Sequence, residues 1–197
     1  MDYTTIANVK AALKIEAAGD DALLSSLVTR ASRALDRLIT QSDQPDAVNY
    51  LEAATVTDER LTGLVDANTF LHCWPHKPLV TAVSAFSYRA TPLESWVAVS
   101  PDYIEIYGQH LMVYASAATG KPFVKVTYVG GLAASVANLP ADLVEAATVM
   151  AARFYREDEG GLTDAIGVAE LGALVYTKAF PVRVLEMLRP YMRVIPW

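Results

Sequence analysis

The sequence predicts an α+β protein: a small helical bundle formed by N- and C-terminal helices, an inserted antiparallel β block, and an extended C-terminal tail. Three observations predict it. Apolar residues recur at helical spacing near the N-terminus and again after residue 132. Between them, short β-branched and aromatic runs alternate with turn residues. The last eight residues are largely apolar, yet Pro190 and Pro196 bar them from a helix. The divisions fall at residues 1–44, 45–132, 133–189 and 190–197.

Thr5 can cap a short helix, since its hydroxyl reaches an unpaired amide of the first turn; Ile6, Val9 and Leu13 supply the stripe over residues 5–14. After Gly19, Asp20 offers a second cap, and Leu24, Leu27, Val28, Ala31, Leu35, Leu38 and Ile39 keep the helical period over residues 21–40. A polar loop with Pro45 follows. Strands are expected at residues 54–57, 69–74, 79–88, 96–99, 103–107, 111–114 and 123–129. The charged run 58–63 and residues 100–102, 107–109 and 119–122 read as turns. Pro140 sits at a first helical position, and Val144, Ala147, Met150, Ala151 and Phe154 form the stripe of a helix ending near Gly160. Residues 162–179 are ambiguous: alanines and Glu170 favour helix, whereas Gly167 and Gly172 weaken it. Pro181 opens a last helix with Val182, Leu185 and Leu188 on one face, and Pro190 ends it.

Composition narrows the function classes. The chain has 197 residues, 53% apolar and 19% charged, with mean hydropathy +0.24. That apolar excess needs burial, and contacts between copies are a natural place for it. One cysteine, Cys73, rules out an intrachain disulfide framework and any multi-cysteine metal site. No run approaches a membrane span, and the first residues lack the basic and apolar regions of a secretory signal. A net charge of −6 repels nucleic acid globally, because phosphate neutralisation is the main source of sequence-independent affinity.

Chemical motifs are scarce. His72, Cys73 and His76 carry ligand atoms, but Pro75 prevents the helix that would face both histidines one way, so the bland reading is a strand end with Cys73 packed as a small apolar residue. Thr119-Gly120-Lys121-Pro122 departs from a phosphate-binding loop at Ala115 and Pro122 and reads as a turn. The acidic run 157–159 reads as a solvated helix end. No catalytic residue and no cofactor is expected. Arg30, Arg33 and Arg37 lie along one side of the second helix, beside Asp36; they form either a solvated face or an intersubunit or partner contact. The tail residues Pro190, Tyr191, Met192, Arg193, Val194, Ile195, Pro196 and Trp197 hold more apolar surface than an extended strand can bury against itself, so they dock either in their own protomer or in a neighbour.

Three sets of segments carry a resemblance: the opening pair, Val9-Lys10-Ala11-Ala12-Leu13-Lys14-Ile15 and residues 20–28; then Lys77-Pro78-Leu79-Val80-Thr81-Ala82-Val83 with residues 126–131 and 139–147; and Ala179-Phe180-Pro181 through Leu185, Leu188, Arg189, Pro190 and Tyr191. Their order and spacing resemble the head–tail connector (adaptor, or head-completion) proteins of long-tailed double-stranded DNA bacteriophages. The resemblance implies a structural, non-enzymatic virion protein, assembled in the host cytoplasm. It would form a ring at the neck, commonly of twelve copies, beneath the portal protein. It would extend the DNA channel, without sequence-specific binding, and dock the next neck or tail protein. The resemblance further makes residues 190–197 a portal-docking tail. A heterologous contact that closes on itself gives such a ring, and an acidic wall lets DNA slide. The alternatives are another neck or tail component, a stopper or tail terminator, and a small metal-dependent enzyme using His72, Cys73 and His76.

Overall fold

The structure, a computed structural model, describes residues 1–40, 49–115, 118–160, 165–168, 173–176 and 180–192. It divides into two compact units, Met1–Asn49 with Ser135–Trp197, and Tyr50–Ala134. Four helices belong to the first, and two four-stranded antiparallel sheets form the second. Among the described residues, no helix is long and apolar enough to cross a membrane.

In the helical unit, α1 (Ile6–Leu13) starts where the Thr5 hydroxyl accepts from the Asn8 amide at 3.2 Å, and ends at Lys14 in a left-handed conformation. Helix α2 (Asp21–Thr40) packs on α3 (Ala141–Gly160), α1 lies against both, and α4 (Val182–Leu188) lies on α3. Leu24, Leu35 and Ile39 of α2 are buried, as are Leu143 and Met150 of α3 and Val184 and Leu188 of α4. Each such leucine contributes about 1.5–3 kcal/mol by leaving water. Ala146, Ala147 and Ala151 keep α3 thin where its neighbours approach. Within the stretch that the sequence leaves ambiguous, the described residues are strand: β9 (Ala165–Val168) and β10 (Ala173–Tyr176) pair antiparallel. Ile166, Val168, Val175 and Tyr176 are strand formers, and they outweigh the alanines and Glu170.

A buried polar knot ties this unit together. Tyr3 and Asp36 are both fully buried, and the Tyr3 hydroxyl donates to Asp36 Oδ1. The Asn49 amide donates to Asp36 Oδ2 at 2.8 Å, and Arg33 reaches the same oxygen at 3.4 Å. A carboxylate taken out of water needs such partners.

In the β unit, the first sheet runs in the order β1 (Ala54–Thr62), β8 (Phe123–Gly130), β4 (Ala82–Arg89), β5 (Val97–Val99). The second runs β2 (Leu64–Val65), β3 (Phe70–Cys73), β7 (His110–Tyr114), β6 (Ile104–Tyr107). Inward residues of both sheets, among them Leu71, Phe86, Leu111, Val113, Val124, Val126 and Tyr128, share one core. Gly108 takes a positive φ in the two-residue link from β6 to β7. Gly131 closes β8 at φ +117°, where an added Cβ would lie 2.3 Å from the Glu52 carbonyl oxygen.

Two expectations change here. Residues 58–62, read as a turn from their charge, belong to β1. This is an edge strand, which tolerates charge, and a bulge at Asp58 (φ 54°) resets the alternation so that Glu59 and Leu61 lie half-buried while Arg60 and Thr62 face outward. The chain also does not become extended at Pro190: Arg189–Tyr191 form a 3-10 turn continuing α4, since proline is tolerated in the first turn of such a helix.

Candidate functional site

The three arginines of α2 have different surroundings. Arg33 donates to the Asn49 side chain at 2.6 Å and completes the buried Asp36 knot, so it acts as a structural tie. Arg30 is exposed and lies over the Phe154 ring at 4.5 Å. Arg37 is exposed, its Nε donating only to the Arg33 carbonyl at 3.4 Å. Among the described residues, no carboxylate pairs with Arg30 or Arg37. These two line an open cleft of about 440 Å³ whose apolar wall is Ala34, Leu38, Met150, Phe154 and Phe180.

The tail starts on its own unit. Pro190 is exposed, and Tyr191 and Met192 are half-buried. The Tyr191 hydroxyl donates to the Asp142 carboxylate at 3.0 Å, in the first turn of α3. Burial and that carboxylate raise the Tyr191 pKa, which keeps the hydroxyl a donor. Arg193, Val194, Ile195, Pro196 and Trp197 lie outside the described residues.

The structure separates the histidine–cysteine cluster. Cys73 points into the core, and burial, then the Glu59 charge, push its thiol pKa up to about 12. His76 is bound to Glu59. His72 faces the opposite side of β3, its Nδ1 2.8 Å from His110 Nε2 and its Nε2 3.2 Å from Asp66. The Asp66 carboxylate can only accept, so a neutral His72 donates to it and accepts from His110. Amide donation from Phe70 is the largest influence holding the Asp66 pKa below its ordinary value. Burial, then His72, lowers the pKa of His110. Among the described residues, no group of three or more His, Cys, Asp or Glu could hold a metal ion. With its thiol buried on the far face, Cys73 cannot serve as a nucleophile beside the histidines.

What His72 and His110 do join is an aromatic surface. Trp74 and His110 stack at 5.0 Å, His72 and His110 at 5.0 Å, Tyr107 and His110 at 6.0 Å, and Phe70 meets Tyr114 edge-on at 5.9 Å. Leu64, Met112 and Glu105 share this outer face through direct strand pairing. Tyr107 is 56% exposed and Tyr114 52%. Sequence reading missed the surface as a unit. Its signal was present: residues 70, 72 and 74, and 110, 112 and 114, alternate with the buried Leu71, Cys73, Leu111 and Val113, as the two faces of a strand must.

The fold and sequence have relatives. A chain in the neck of an empty GTA particle computed with C6 symmetry is 20% identical, with a TM-score of 0.56 over 99% of this chain and 92% of that one. A chain in the virion of a native gene transfer agent (GTA) particle is 18% identical, with a TM-score of 0.50 over the same shares. These likenesses establish a shared fold. No curated protein matches the sequence. The profile of the head completion proteins matches residues 2–194, nearly the whole chain, and the chain belongs to that structural, non-enzymatic family.

Proposed function

We propose that this head completion protein is a subunit of a ring in the neck of a phage-like particle, seated beneath the portal. It extends the DNA channel there and presents a surface to the next neck or tail component. The observation that carries the reading is the exposed apolar surface of the β unit: Leu64, Tyr107 and Tyr114 are large and exposed on the outer face of the second sheet, and Val97 and Tyr103 are exposed elsewhere in the unit. Such surface belongs between proteins. The similar chain comes from a neck computed with C6 symmetry, which supports a ring of copies around an axis. The net charge of −6 suits a wall past which DNA slides. Residues 190–197 form the portal-docking segment, and the hydrogen bond of Tyr191 to Asp142 ties its start to α3.

Mixing the full chain with portal rings and sedimenting the mixture tests this. Co-sedimentation in a fixed ratio, with a new collar seen by electron microscopy, is the expected result. Absence of a complex overturns the reading. Removing residues 193–197 weakens the complex while the circular dichroism spectrum is retained; an unchanged complex overturns the docking role of the tail.

A further inference from the structure

The loop joining β4 to β5 is built to display one side chain. Leu93 is 98% exposed. One exposed leucine means little alone, but here Arg89, Ala90, Thr91 and Glu94 are turned to hold the loop. The Thr91 hydroxyl donates to Glu94 Oε1 at 3.0 Å, the Ala90 amide to Glu94 Oε2 at 3.3 Å, and the Glu94 amide to the Thr91 carbonyl at 3.2 Å. At the base, Arg89 donates to the Pro92 carbonyl at 2.8 Å while lying over Trp96 at 4.4 Å. Pro92 removes further freedom. The tip is thus ordered before it meets anything, which lowers the entropic cost of docking. The Glu94 carboxylate has lone pairs left over and, among the described residues, no cation beside it.

The cleft between α2 and α3 has the complementary chemistry. Its wall is apolar, through Ala34, Leu38, Met150 and Phe154, and its two guanidinium groups, Arg30 and Arg37, have no carboxylate among the described residues. A knob that is apolar at its end and anionic at its side fits a socket that is apolar within and cationic at its rim.

We propose that Leu93 of one copy seats in the α2–α3 cleft of the next copy, with Glu94 against Arg30 and Arg37. The inference rests on the ring reading above. The contact is heterologous, since knob and socket are different surfaces, and repetition of it around an axis closes a ring. Leu93 supplies the buried anchor, and the charges set the direction in which copies follow one another.

A disulfide test separates this contact from the ring itself. The full chain carrying Ala34→Cys and Leu93→Cys is assembled onto portal rings and oxidised. Cys73 is left in place, because its buried thiol does not compete. A ladder of linked copies on a non-reducing gel is expected. Rings without a ladder, or a disulfide closed within single chains, overturn the contact and leave the ring reading standing. Absence of rings from unmodified chain overturns both. Independently of cysteine, Glu94→Arg lowers incorporation at least ~10-fold, because it sets a third cation against Arg30 and Arg37. Adding Arg30→Glu and Arg37→Glu restores it; failure of that restoration, with both variants folded, also overturns the contact.

Discussion

The helical unit and the β unit treat large apolar side chains in opposite ways. In the helical unit they face inward, with Leu24, Leu35, Leu143, Met150 and Leu188 all out of water. In the β unit, an equally closed core of Leu71, Leu111, Val124 and Tyr128 coexists with an outer surface bearing Leu64, Leu93, Tyr103, Tyr107 and Tyr114. Among the described residues, Val182 is the one exposed large apolar side chain outside residues 50–134. The difference teaches where exposed apolar surface is concentrated. A helix hides its stripe on one side and leaves charge on the other. A sheet has two full faces, and a sheet with one face in a core can spend the other on a partner.

The comparison breaks most severely if the helical unit tolerates loss of its polar knot. Asp36→Ala removes the carboxylate that the Tyr3 hydroxyl, the Asn49 amide and Arg33 share, and stability to urea should fall by about 3–5 kcal/mol. A loss under 1 kcal/mol would show the knot to be ornamental. Next in size is Gly131→Ala at the end of β8. The residue would carry a Cβ at φ +117° against the Glu52 carbonyl, and a cost of at least ~2 kcal/mol is expected by denaturant titration.

The outer face of the second sheet should behave differently. Tyr107→Ser with Tyr114→Ser is expected to change stability by roughly 0.5 kcal/mol or less per site, yet to impair assembly onto portal rings. A large stability loss with normal assembly would reverse the assignment of that face. The smallest effect concerns pH. Because the His110 pKa is lowered in the fold, the unfolded chain takes up its proton first, and stability declines as pH falls through about 6.5. Asp66, whose pKa is lowered from 3.8, loses its contribution only at far lower pH, so it does not mask the histidine. Urea midpoints measured between pH 7.5 and pH 5 (roughly the histidine range) should decline less in His110→Gln than in the parent chain.

Local patterns carried much of this fold. The bounds of α2 were legible from seven apolar residues at helical spacing, and those of α3 from Pro140 and the acidic end at Gly160. Strands β3, β6, β7 and β8 were legible to within one or two residues. What the sequence misread and what it left open share a cause. Residues 58–62 look like a turn until β8 lies beside them, because only pairing shows that a charged edge strand with a bulge is still a strand. Residues 162–179 have mixed propensities, and for Ala165–Val168 and Ala173–Tyr176 it is their pairing that decided.

The candidate surfaces divide the same way. Sequence placed Arg30, Arg33 and Arg37 on one side of a helix, which follows from 3.6 residues per turn and nothing else. Only tertiary structure drew Arg33 into the Asp36 knot through Asn49 and left Arg30 and Arg37 at a cleft, because burial depends on what the other elements bring. The amino-acid order by itself determined the type of most elements, the apolar excess, the acidic charge and the want of catalytic motifs, all of which are properties of composition and short-range periodicity. Tertiary structure decided which apolar residues stay at the surface, since that is settled by contacts between segments far apart in the chain.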